Sequence, residues 1–394
     1  MQPFTFYSPT KIIFGPATEN RVGQQIALSG GSRVLVVYGG QSAVKSGLLD
    51  RVLRSLEEAG LAYDCMGGVQ PNPLLSLAQA GVEQALNFKA DFLLAVGGGS
   101  VIDTAKAIAN GAANPDCALW DIWTGVVPLK KSLPLGSVLT IPAAGSECSS
   151  SAVLTNDDNL VKRGLSSDLQ RPRFAIMNPE LALTLPPWQI ACGVTDIMMH
   201  TMDRYFNPIT TNELTDELAE SVLRTVVRNG RLALEKPGDY QSMSELMWAG
   251  TLSHNDLTGL GGVKDFAPHQ LGHELSAKYD YSHGATLSAV WGSWARYCLD
   301  TNPGRFARFG VQVWGLDPAL EEAVLARKAI EATEAYFTSI GMPICLSQLG
   351  CGVLSEELLA ELALRCTFFG TRTIGSFRVL GYDDILAIYR LANH

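Results

Sequence analysis

The pattern of hydrophobic and polar positions changes near the middle of the chain. In the first half, short apolar runs such as Arg33–Tyr38 and Asp91–Val96 alternate with helical periodicity, for example from Leu48 to Ala59 and from about Val101. Continuous apolar strands between helices are typical of a parallel sheet that is covered on both faces. The first half therefore predicts an α/β domain with a Rossmann-like parallel sheet.

The second half shows helical periodicity and almost no strand pattern. The periodic stretches are 187–206, 214–234, 242–253, 320–340 and 355–366. Pro186 ends one segment, and Pro187 can start the next helix because the first helical turn needs no backbone N–H there. We therefore predict an α/β domain over residues 1–182 and an all-α domain over residues 183–394.

Histidines concentrate in the second half, where five of the six in the chain fall between residues 197 and 284. Residues four apart on a helix share a face, so Asp196 and His200 can direct a carboxylate oxygen and an imidazole nitrogen at one ion. His269 and His273 repeat this spacing, and His283 follows ten residues later. A carboxylate with several imidazoles and no thiolate favours a divalent cation such as Zn2+ or Fe2+.

A single Asp/His pair is more often a hydrogen-bonded surface pair than a metal site. Two such pairs and His283, in a chain with only six histidines, favour the metal site. The spacing leaves open whether His269 or His273 is the ligand, because both lie on one helical face. His254 and His394 have no partner at ligand spacing.

Composition narrows the class of protein. With 394 residues, 47% hydrophobic and 18% charged, the chain can bury a large core, and its net charge of −9 argues against a nucleic-acid partner. We find no signal peptide and no apolar run long enough to span a membrane. Eight cysteines are scattered without CxxC spacing, which suits reduced thiols. We therefore expect a cytoplasmic globular protein with no membrane or nucleic-acid partner.

A glycine run marks a candidate dinucleotide site. Gly97, Gly98, Gly99 and Ser100 follow a predicted strand and open a helix, so backbone amides at the helix N-terminus can receive a pyrophosphate. Tight packing at a strand-to-helix turn also demands glycine, and this structural interpretation stays open. The small-residue turn from Thr140 to Glu147 would likewise let the backbone approach a ligand.

A second glycine turn indicates which dinucleotide is preferred. It contains Gly39, Gly40 and Ser42, with Lys45 nearby, and it follows the strand that ends at Tyr38. A carboxylate here would bind the ribose 2′-hydroxyl of NAD and repel a 2′-phosphate. Because the turn carries no acidic residue and has a lysine close by, we predict that NADP(H) is favoured over NAD(H).

Together these residues resemble the iron-containing (group III) alcohol dehydrogenase family, in particular its butanol-dehydrogenase-like, NADPH-dependent aldehyde reductase branch. The resemblance covers essentially the whole chain. The motifs that carry it are Tyr38-Gly39-Gly40, Gln70-Pro71-Asn72-Pro73, Gly97-Gly98-Gly99-Ser100-Val101-Ile102-Asp103, Leu183-Thr184-Leu185-Pro186-Pro187 and Leu271-Gly272-His273-Glu274-Leu275.

The resemblance implies a role for each matching residue. The metal would be held by Asp196, His200, His269 and His283, leaving His273 to relay a proton or contact substrate. The metal and His273 would lie with the cofactor in a cleft between the domains. The resemblance also implies a homodimer, which is common in the family. The implied cofactor-binding residues are Gly39, Gly40, Ser42, Lys45, Asn72, Gly97, Gly98, Gly99, Ser100, Asp103, Thr140 and Lys162.

Two departures from the family pattern affect this interpretation. Gln41 replaces a small residue in the second glycine turn, where the ribose is predicted to lie. This departure counts against the predicted preference for NADPH over NADH. His254 stands where an apolar residue is expected, and it either tunes substrate choice or is a hydrogen-bonded structural histidine.

The expected reaction is hydride transfer between NAD(P)H and an aldehyde or primary alcohol, with the cation polarising the carbonyl oxygen. One alternative is a metal-dependent cyclase or lyase that uses the nicotinamide transiently. Another is a metal-dependent hydrolase, in which the cation activates water. A non-enzymatic binding module is disfavoured because an open Asp/His site suits a structural zinc poorly.

Overall fold

The structure is a computed structural model that describes residues 1–209 and 211–394. The chain forms two compact units, one of Tyr7–Leu185 and one of Pro186–His394 together with Met1–Phe6. The division between Leu185 and Pro186 lies near the expected boundary after residue 182, and the assignment of residues 1–182 and 183–394 as functional domains stays a prediction. The first six residues were expected in the α/β unit, but Gln2 N–H donates to the Gly261 carbonyl at 3.1 Å.

The strands of the α/β unit are β1 (Lys11–Phe14), β2 (Arg33–Tyr38), β3 (Ala62–Met66), β4 (Phe92–Gly97), β5 (Leu135–Leu139), β6 (Ser151–Asn156), β7 (Val161–Ser166) and β8 (Phe174–Met177). Six of them form a parallel sheet with the strand order β1-β8-β5-β4-β2-β3. A separate antiparallel pair joins β6 to β7, and the sequence pattern did not predict it.

The central strands form the core of this unit because every position along β4 and β5 is buried. Burial on both faces requires continuous apolar runs, so the predicted covered parallel sheet is confirmed. The helices of the unit are α1 (Val22–Leu28), α2 (Gln41–Lys45), α3 (Leu48–Glu58), α4 (Leu75–Phe88), α5 (Gly99–Ala113) and α6 (Leu119–Trp123). Short 3-10 helices occupy Thr18–Arg21, Asp168–Gln170 and Pro179–Ala182.

The adjacent strands β5, β4 and β2 run parallel, so their carboxyl ends lie on the same side of the sheet. Their last residues are Leu139, Gly97 and Tyr38, and each is followed or overlapped by a predicted cofactor segment. In open α/β sheets, ligands bind outside the carboxyl ends of the strands. The fold therefore brings the Gly39, Gly97 and Thr140 segments together at the carboxyl ends of these strands.

The second unit is helical, as the periodicity predicts. Its helices are α7 (Pro187–Tyr205), α8 (Glu213–Glu235), α9 (Tyr240–His254), α10 (Ala267–Tyr279), α11 (His283–Cys298), α12 (Pro303–Trp314), α13 (Glu322–Ser339), α14 (Glu356–Cys366) and α15 (Tyr382–Ala392), with 3-10 helices at Leu257–Gly259, Leu299–Thr301 and Ser347–Leu349. Within its described residues, the only β-pairing is an isolated bridge between Ile374 and Leu380. None of the described helices combines the length and apolar character that crossing a membrane requires.

Candidate metal centre and cofactor turns

Three helices of the second unit bring the predicted metal ligands together. Asp196 and His200 lie one turn apart on α7, His269 lies in the first turn of α10, and His283 begins α11. The Asp196 Oδ1 atom is 3.8 Å from His200 Nδ1, 3.8 Å from His269 Nε2 and 3.9 Å from His283 Nε2. One carboxylate oxygen is thus surrounded by three imidazole nitrogens.

These separations fit a shared cation better than direct hydrogen bonds. Atoms 3.8 Å apart are too distant to hydrogen-bond, whereas two ligand atoms bound at about 2.1 Å to one tetrahedral ion lie about 3.4 Å apart. Asp196 Oδ1, His200 Nδ1 and His269 Nε2 are buried and have no hydrogen-bond partner among the described residues. A divalent cation at their centre would satisfy all three atoms, so the donor set fits the implied metal.

The buried surroundings favour the neutral, metal-binding form of His200. Burial lowers the pKa of His200 well below its usual value, and the neighbouring His254, His269 and Arg204 lower it further. A neutral imidazole keeps a lone pair available for coordination.

Asp203 fixes the orientation of His269. Its Oδ2 atom lies 2.5 Å from His269 Nδ1, and its backbone carbonyl accepts a hydrogen bond from Asp265 N–H at 2.8 Å. Burial opposes protonation of His269, but the carboxylates of Asp203 and Asp196 outweigh it and raise the pKa of His269. With Nδ1 held by Asp203, the Nε2 atom of His269 is directed at Asp196, as in the carboxylate–histidine–metal arrangement of many metal sites.

The sequence reasoning missed Asp203, although a signal was present. Asp196, His200 and Asp203 have i, i+4, i+7 spacing on α7, which places them on one face of the helix. Arg204, also missed, lies beneath this face and donates from Nη1 to the His200 carbonyl at 2.7 Å. Burial lowers the pKa of Arg204 to about 10, while Asp256 and Asp203 act in the opposite direction.

Geometry separates the two histidines that spacing left open. Among the described residues, the group whose ligand atoms all lie within 4.8 Å of one another contains Asp196, His200 and His269 but neither His273 nor His283. His283 is placed beside this group by its Nε2 atom, which lies 3.9 Å from Asp196 Oδ1. The His273 ring centre lies 5.1 Å from that of His283 and 6.2 Å from that of His269. His273 therefore adjoins the candidate metal centre without belonging to this group.

His254, at the end of α9, also adjoins the centre. Its ring contacts that of His200 edge-on, with ring centres 4.1 Å apart. Its side chain is half-buried. This contact is compatible with both interpretations of His254, as a substrate-tuning residue and as a structural one.

Gly284 allows α11 to start close to α7. A Cβ atom at this position would lie 2.3 Å from the Cys192 carbonyl oxygen, so a larger residue could not fit without moving the backbone. This close approach places His283, the preceding residue, beside Asp196.

The glycine run in the first unit is closely packed, and it leads into a helix end that can bind an anion. A Cβ atom at Gly97 would lie 2.5 Å from Val101, which explains Gly97 by packing alone. Cβ atoms at Gly98 and Gly99 would approach Ile141 at 3.1 Å and Ser146 Oγ at 3.3 Å, respectively. Helix α5 begins at Gly99, and its first N–H groups have no partner within the helix, so this end can bind an anion.

The second glycine turn, Gly39–Ser42, where the ribose is predicted to lie, is open to solvent. A Cβ atom at Gly40 would meet nothing within 4 Å, so the surface there is bare backbone. Gln41, Ser42 and Lys45 on the short helix α2 are exposed. Beside this turn, the Gly68 N–H donates to the Gly39 carbonyl at 3.0 Å. A cavity of about 330 Å³ is lined by Gly68, Gln70, Leu74, Ser76, Leu77 and Ala80.

Three further predicted cofactor residues are buried near one another. Lys162 Nζ donates to Asn72 Oδ1 at 2.8 Å, and Asn72 has a left-handed backbone with φ of 57°. Asp103 Oδ2 accepts a hydrogen bond from Val153 N–H at 2.9 Å, and burial raises the pKa of Asp103. Because one oxygen of Asp103 already serves this internal contact, its direct contact with a cofactor stays a prediction.

Comparison with known proteins agrees with the fold and identifies the family. Residues 9–179 match the family described as iron-containing alcohol dehydrogenase, and residues 190–393 match the C-terminal part of the Fe-containing alcohol dehydrogenase family. NADH-dependent butanol dehydrogenase A of Clostridium acetobutylicum is 38% identical over 391 residues, covering 99% of each chain. NADPH-dependent aldehyde reductase YqhD of Escherichia coli is 36% identical over the full length of both chains.

Solved structures give the same result. The crystal structure of NADH-dependent butanol dehydrogenase A from Thermotoga maritima has a TM-score of 0.95 at 35% identity, covering 100% of this chain and 99% of that one. The structure of E. coli YqhD has a TM-score of 0.94 at 34% identity, covering 99% of each chain. The protein is an oxidoreductase of the dehydrogenase class and has a candidate metal site. It belongs to the iron-containing alcohol dehydrogenase family, and its reaction is that of an NAD(P)-dependent alcohol dehydrogenase or aldehyde reductase.

Replacing Asp203 by asparagine should weaken metal binding. The amide lacks the negative charge that holds His269 Nδ1–H, and loss of such a partner costs about 10- to 100-fold in metal affinity. Metal content after dialysis against graded chelator concentrations measures the effect. Asp216→Asn is the matched control, since Asp216 is a buried carboxylate paired with Arg305. Equal metal retention by both variants and the wild type would contradict the assigned role of Asp203.

Proposed function

We propose that the protein is a metal-dependent aldehyde reductase that prefers NADPH and also runs in reverse as an alcohol dehydrogenase. The observation that carries this proposal is the convergence of three buried, unsatisfied ligand atoms on Asp196, His200 and His269. The named relatives are all dehydrogenases or reductases, and no feature of the site favours the cyclase, lyase or hydrolase alternatives.

The proposed metal ligands are Asp196, His200, His269 and His283. Their carboxylate and imidazole donors suit a borderline divalent cation, and we propose Fe2+ or Zn2+. His283 completes the set because its Nε2 atom lies as close to Asp196 Oδ1 as the other two nitrogens do.

The chain's own residues would bind and orient the reactants. A bound cation supplies Lewis-acid polarisation of the substrate carbonyl, while the nicotinamide supplies hydride. The Gly97–Ser100 turn would hold the pyrophosphate at the N-terminus of α5, with Gly39, Asn72, Thr140 and Lys162 as further contacts. The His273 imidazole, beside the ligand set, is proposed to deliver or accept the proton of the product hydroxyl.

The proposed preference for NADPH depends on the second glycine turn. The relatives divide on this point, since the butanol dehydrogenases are named as NADH-dependent and YqhD as NADPH-dependent. No carboxylate lies between Gly39 and Lys45, and the exposed Lys45 ammonium is available for a 2′-phosphate. Ser42 and the backbone of Gly40 would add hydrogen bonds.

We also propose a cytoplasmic location. All eight cysteines lie outside disulfide bonds, and four of them are buried. Cysteines that form no disulfide are typical of proteins from a reducing compartment.

The proposed reaction predicts metal-dependent oxidation of NADPH by short aldehydes. Metal-stripped protein should lose turnover and regain it with Fe2+ or Zn2+, because the cation polarises the carbonyl. Absorbance of the reduced nicotinamide follows the reaction. His269→Ala should lose both metal and turnover while its circular dichroism spectrum stays that of the wild type. Full turnover by a metal-free variant would refute the proposal, and metal-dependent ester cleavage without NADPH binding would favour a hydrolase.

Replacing Lys45 by glutamine should weaken NADPH selectively. Loss of an exposed lysine–phosphate pair costs about 1 kcal/mol, or about fivefold in KM for NADPH. The KM for NADH should stay constant because NADH has no 2′-phosphate. Lys89→Gln is the control, since Lys89 caps α4 and precedes β4, at the opposite end of that strand from the cofactor turns. An equal change in both KM values would show that Lys45 does not read the phosphate.

We propose that the protein is a homodimer that forms through the edge of the sheet. Strand β1 is an outer strand of the sheet, and Phe14 at its end is 41% exposed. Unpaired edge strands favour pairing with another chain. Sedimentation or light scattering should give twice the chain mass of 42.4 kDa, and Phe14→Lys should shift the population towards monomer. A wild-type monomer at micromolar concentration would contradict this proposal.

A further inference from the structure

Helix α10 follows a residue with a strained backbone. Phe266, which directly precedes the helix, has a left-handed conformation with φ of 56°. Bulky residues rarely adopt this conformation, because Cβ crowds the following carbonyl oxygen. Strain of this kind persists only where the surrounding structure enforces it, and it concentrates at functional sites. The interactions that hold Phe266 therefore need an explanation.

The Phe266 ring packs against two of the proposed metal ligands. Its centre lies 5.2 Å from that of His269 and 6.2 Å from that of His200, and both pairs meet edge to face. The guanidinium carbon of Arg204 also lies 5.0 Å from the ring centre. A different φ at Phe266 would move its Cβ atom, and the ring would move with it. The packing around both imidazoles thus depends on the strained conformation.

Asp265 holds this backbone in place. Its Oδ2 atom accepts the Ala267 N–H at 3.0 Å, so the carboxylate spans Phe266 in a short turn. Its own N–H donates to the Asp203 carbonyl at 2.8 Å, which attaches the turn to α7. The Asp203 side chain in turn contacts His269. Asp265 therefore connects the turn to two helices that carry proposed ligands.

The other oxygen of Asp265 attaches the turn to a segment near the C-terminus. Oδ1 accepts the N–H groups of Ser376 at 2.6 Å and Phe377 at 2.8 Å. Gly375, with φ of 80°, allows this approach, because a Cβ atom there would lie 3.2 Å from Oδ1 and 2.5 Å from the Arg378 carbonyl oxygen. Successive N–H groups can form a concave anion site. Here the anion is a carboxylate of the chain itself.

Burial of the Asp265 carboxylate is costly. Burial raises its pKa to about 7 and the Asp203 carboxylate also raises it, while the three N–H donors act in the opposite direction. Asparagine has the same shape and would avoid the buried charge. Its NH2 group, however, would face either the Ala267 N–H or the N–H pair of Ser376 and Phe377. Of the two side chains, only the carboxylate accepts all three hydrogen bonds.

We propose that Asp265 is a positioning residue for the metal, because it holds Phe266 in the left-handed conformation that packs its ring against His200 and His269. This inference rests on the proposed function, since it assumes that these two histidines bind the cation. Asp265 acts through Phe266 and Asp203, because its side-chain oxygens are occupied by backbone N–H groups.

The test compares metal binding by the full-length wild type and Asp265→Asn at a pH above the pKa of Asp265. Chelator competition with Zn2+ and Co2+ gives Kd, and visible absorption of the Co2+ form reports the geometry around the ion. We expect Kd for both ions to rise about tenfold, as for loss of a partner that orients a ligand. The Co2+ spectrum should also change, because the imidazoles are displaced. A role in stability alone would move Tm but neither of these readouts.

Asp384→Asn is the matched control. Asp384 also accepts a backbone N–H at the start of a helix, from Gly381 before α15, and its other oxygen accepts the Tyr297 hydroxyl. The control should lower Tm but leave Kd and the Co2+ spectrum unchanged. If Asp265→Asn likewise leaves both metal readouts unchanged, Asp265 is merely structural and the inference is overturned. Failure of the wild type to bind either ion would instead refute the proposed function.

Phe266→Gly covers the case in which Asp265→Asn does not fold. Glycine adopts φ of 56° without strain, so the turn should be retained while the ring contacts with His200 and His269 are lost. We expect Kd to rise and the Co2+ spectrum to change. A wild-type Kd for folded Phe266→Gly would overturn the inference.

The double variant tests whether Asp265 acts through the ring of Phe266. Where Asp265→Asn folds, it should raise Kd by a smaller factor in the Phe266→Gly background than in the wild type, because the ring that it positions is absent. Equal factors in the two backgrounds would show that Asp265 does not act through Phe266 and would overturn the inference.

Discussion

The helical unit is organised around buried polar atoms that face one another without hydrogen bonds. Asp196 Oδ1, His200 Nδ1 and His269 Nε2 are removed from water and left unsatisfied by the described chain. Each such atom costs about 1–3 kcal/mol when it is unpaired, and a cation at this point would satisfy all three. The close approach of Gly284 to α7 and the contact of Asp203 with His269 hold His283 and His269 beside Asp196.

The α/β unit depends on a different constraint, namely that the carboxyl ends of parallel strands lie on the same side of the sheet. The register of β2, β4 and β5 brings Tyr38, Gly97 and Leu139 to that side, and glycine at the following turns keeps the backbone accessible. Anion binding here needs no charged side chain, since the first amides of α5 supply it. At the turn after β2, the proposed ribose site, Lys45 is exposed.

Local patterns predicted much of this structure. Strand β2 has the bounds expected from its apolar run, Arg33–Tyr38, and α7 ends one residue before the expected Phe206. The antiparallel pair β6–β7 was missed because β7 contains Lys162 and Arg163 and lacks a clear apolar alternation. Likewise, spacing alone could not choose His269 over His273, because only the position of α10 against α7 separates them.

Both units place polar residues on one face of a helix that is otherwise apolar. On α7 the face carries Asp196, His200 and Asp203, and on α5 it carries Asp103 and Lys106 with Asn110. Such residues lower stability unless their partners are supplied, so their presence inside apolar helices marks where the fold must meet a specific demand. On α7 the candidate partner is a cation, whereas on α5 the partners belong to the chain itself. They are backbone carbonyls for Lys106, the Val153 N–H for Asp103 and the Gln170 side chain for Asn110. The same sequence signal therefore marks faces that could bind a ligand and faces that pair within the fold, and only the partner atoms distinguish the two.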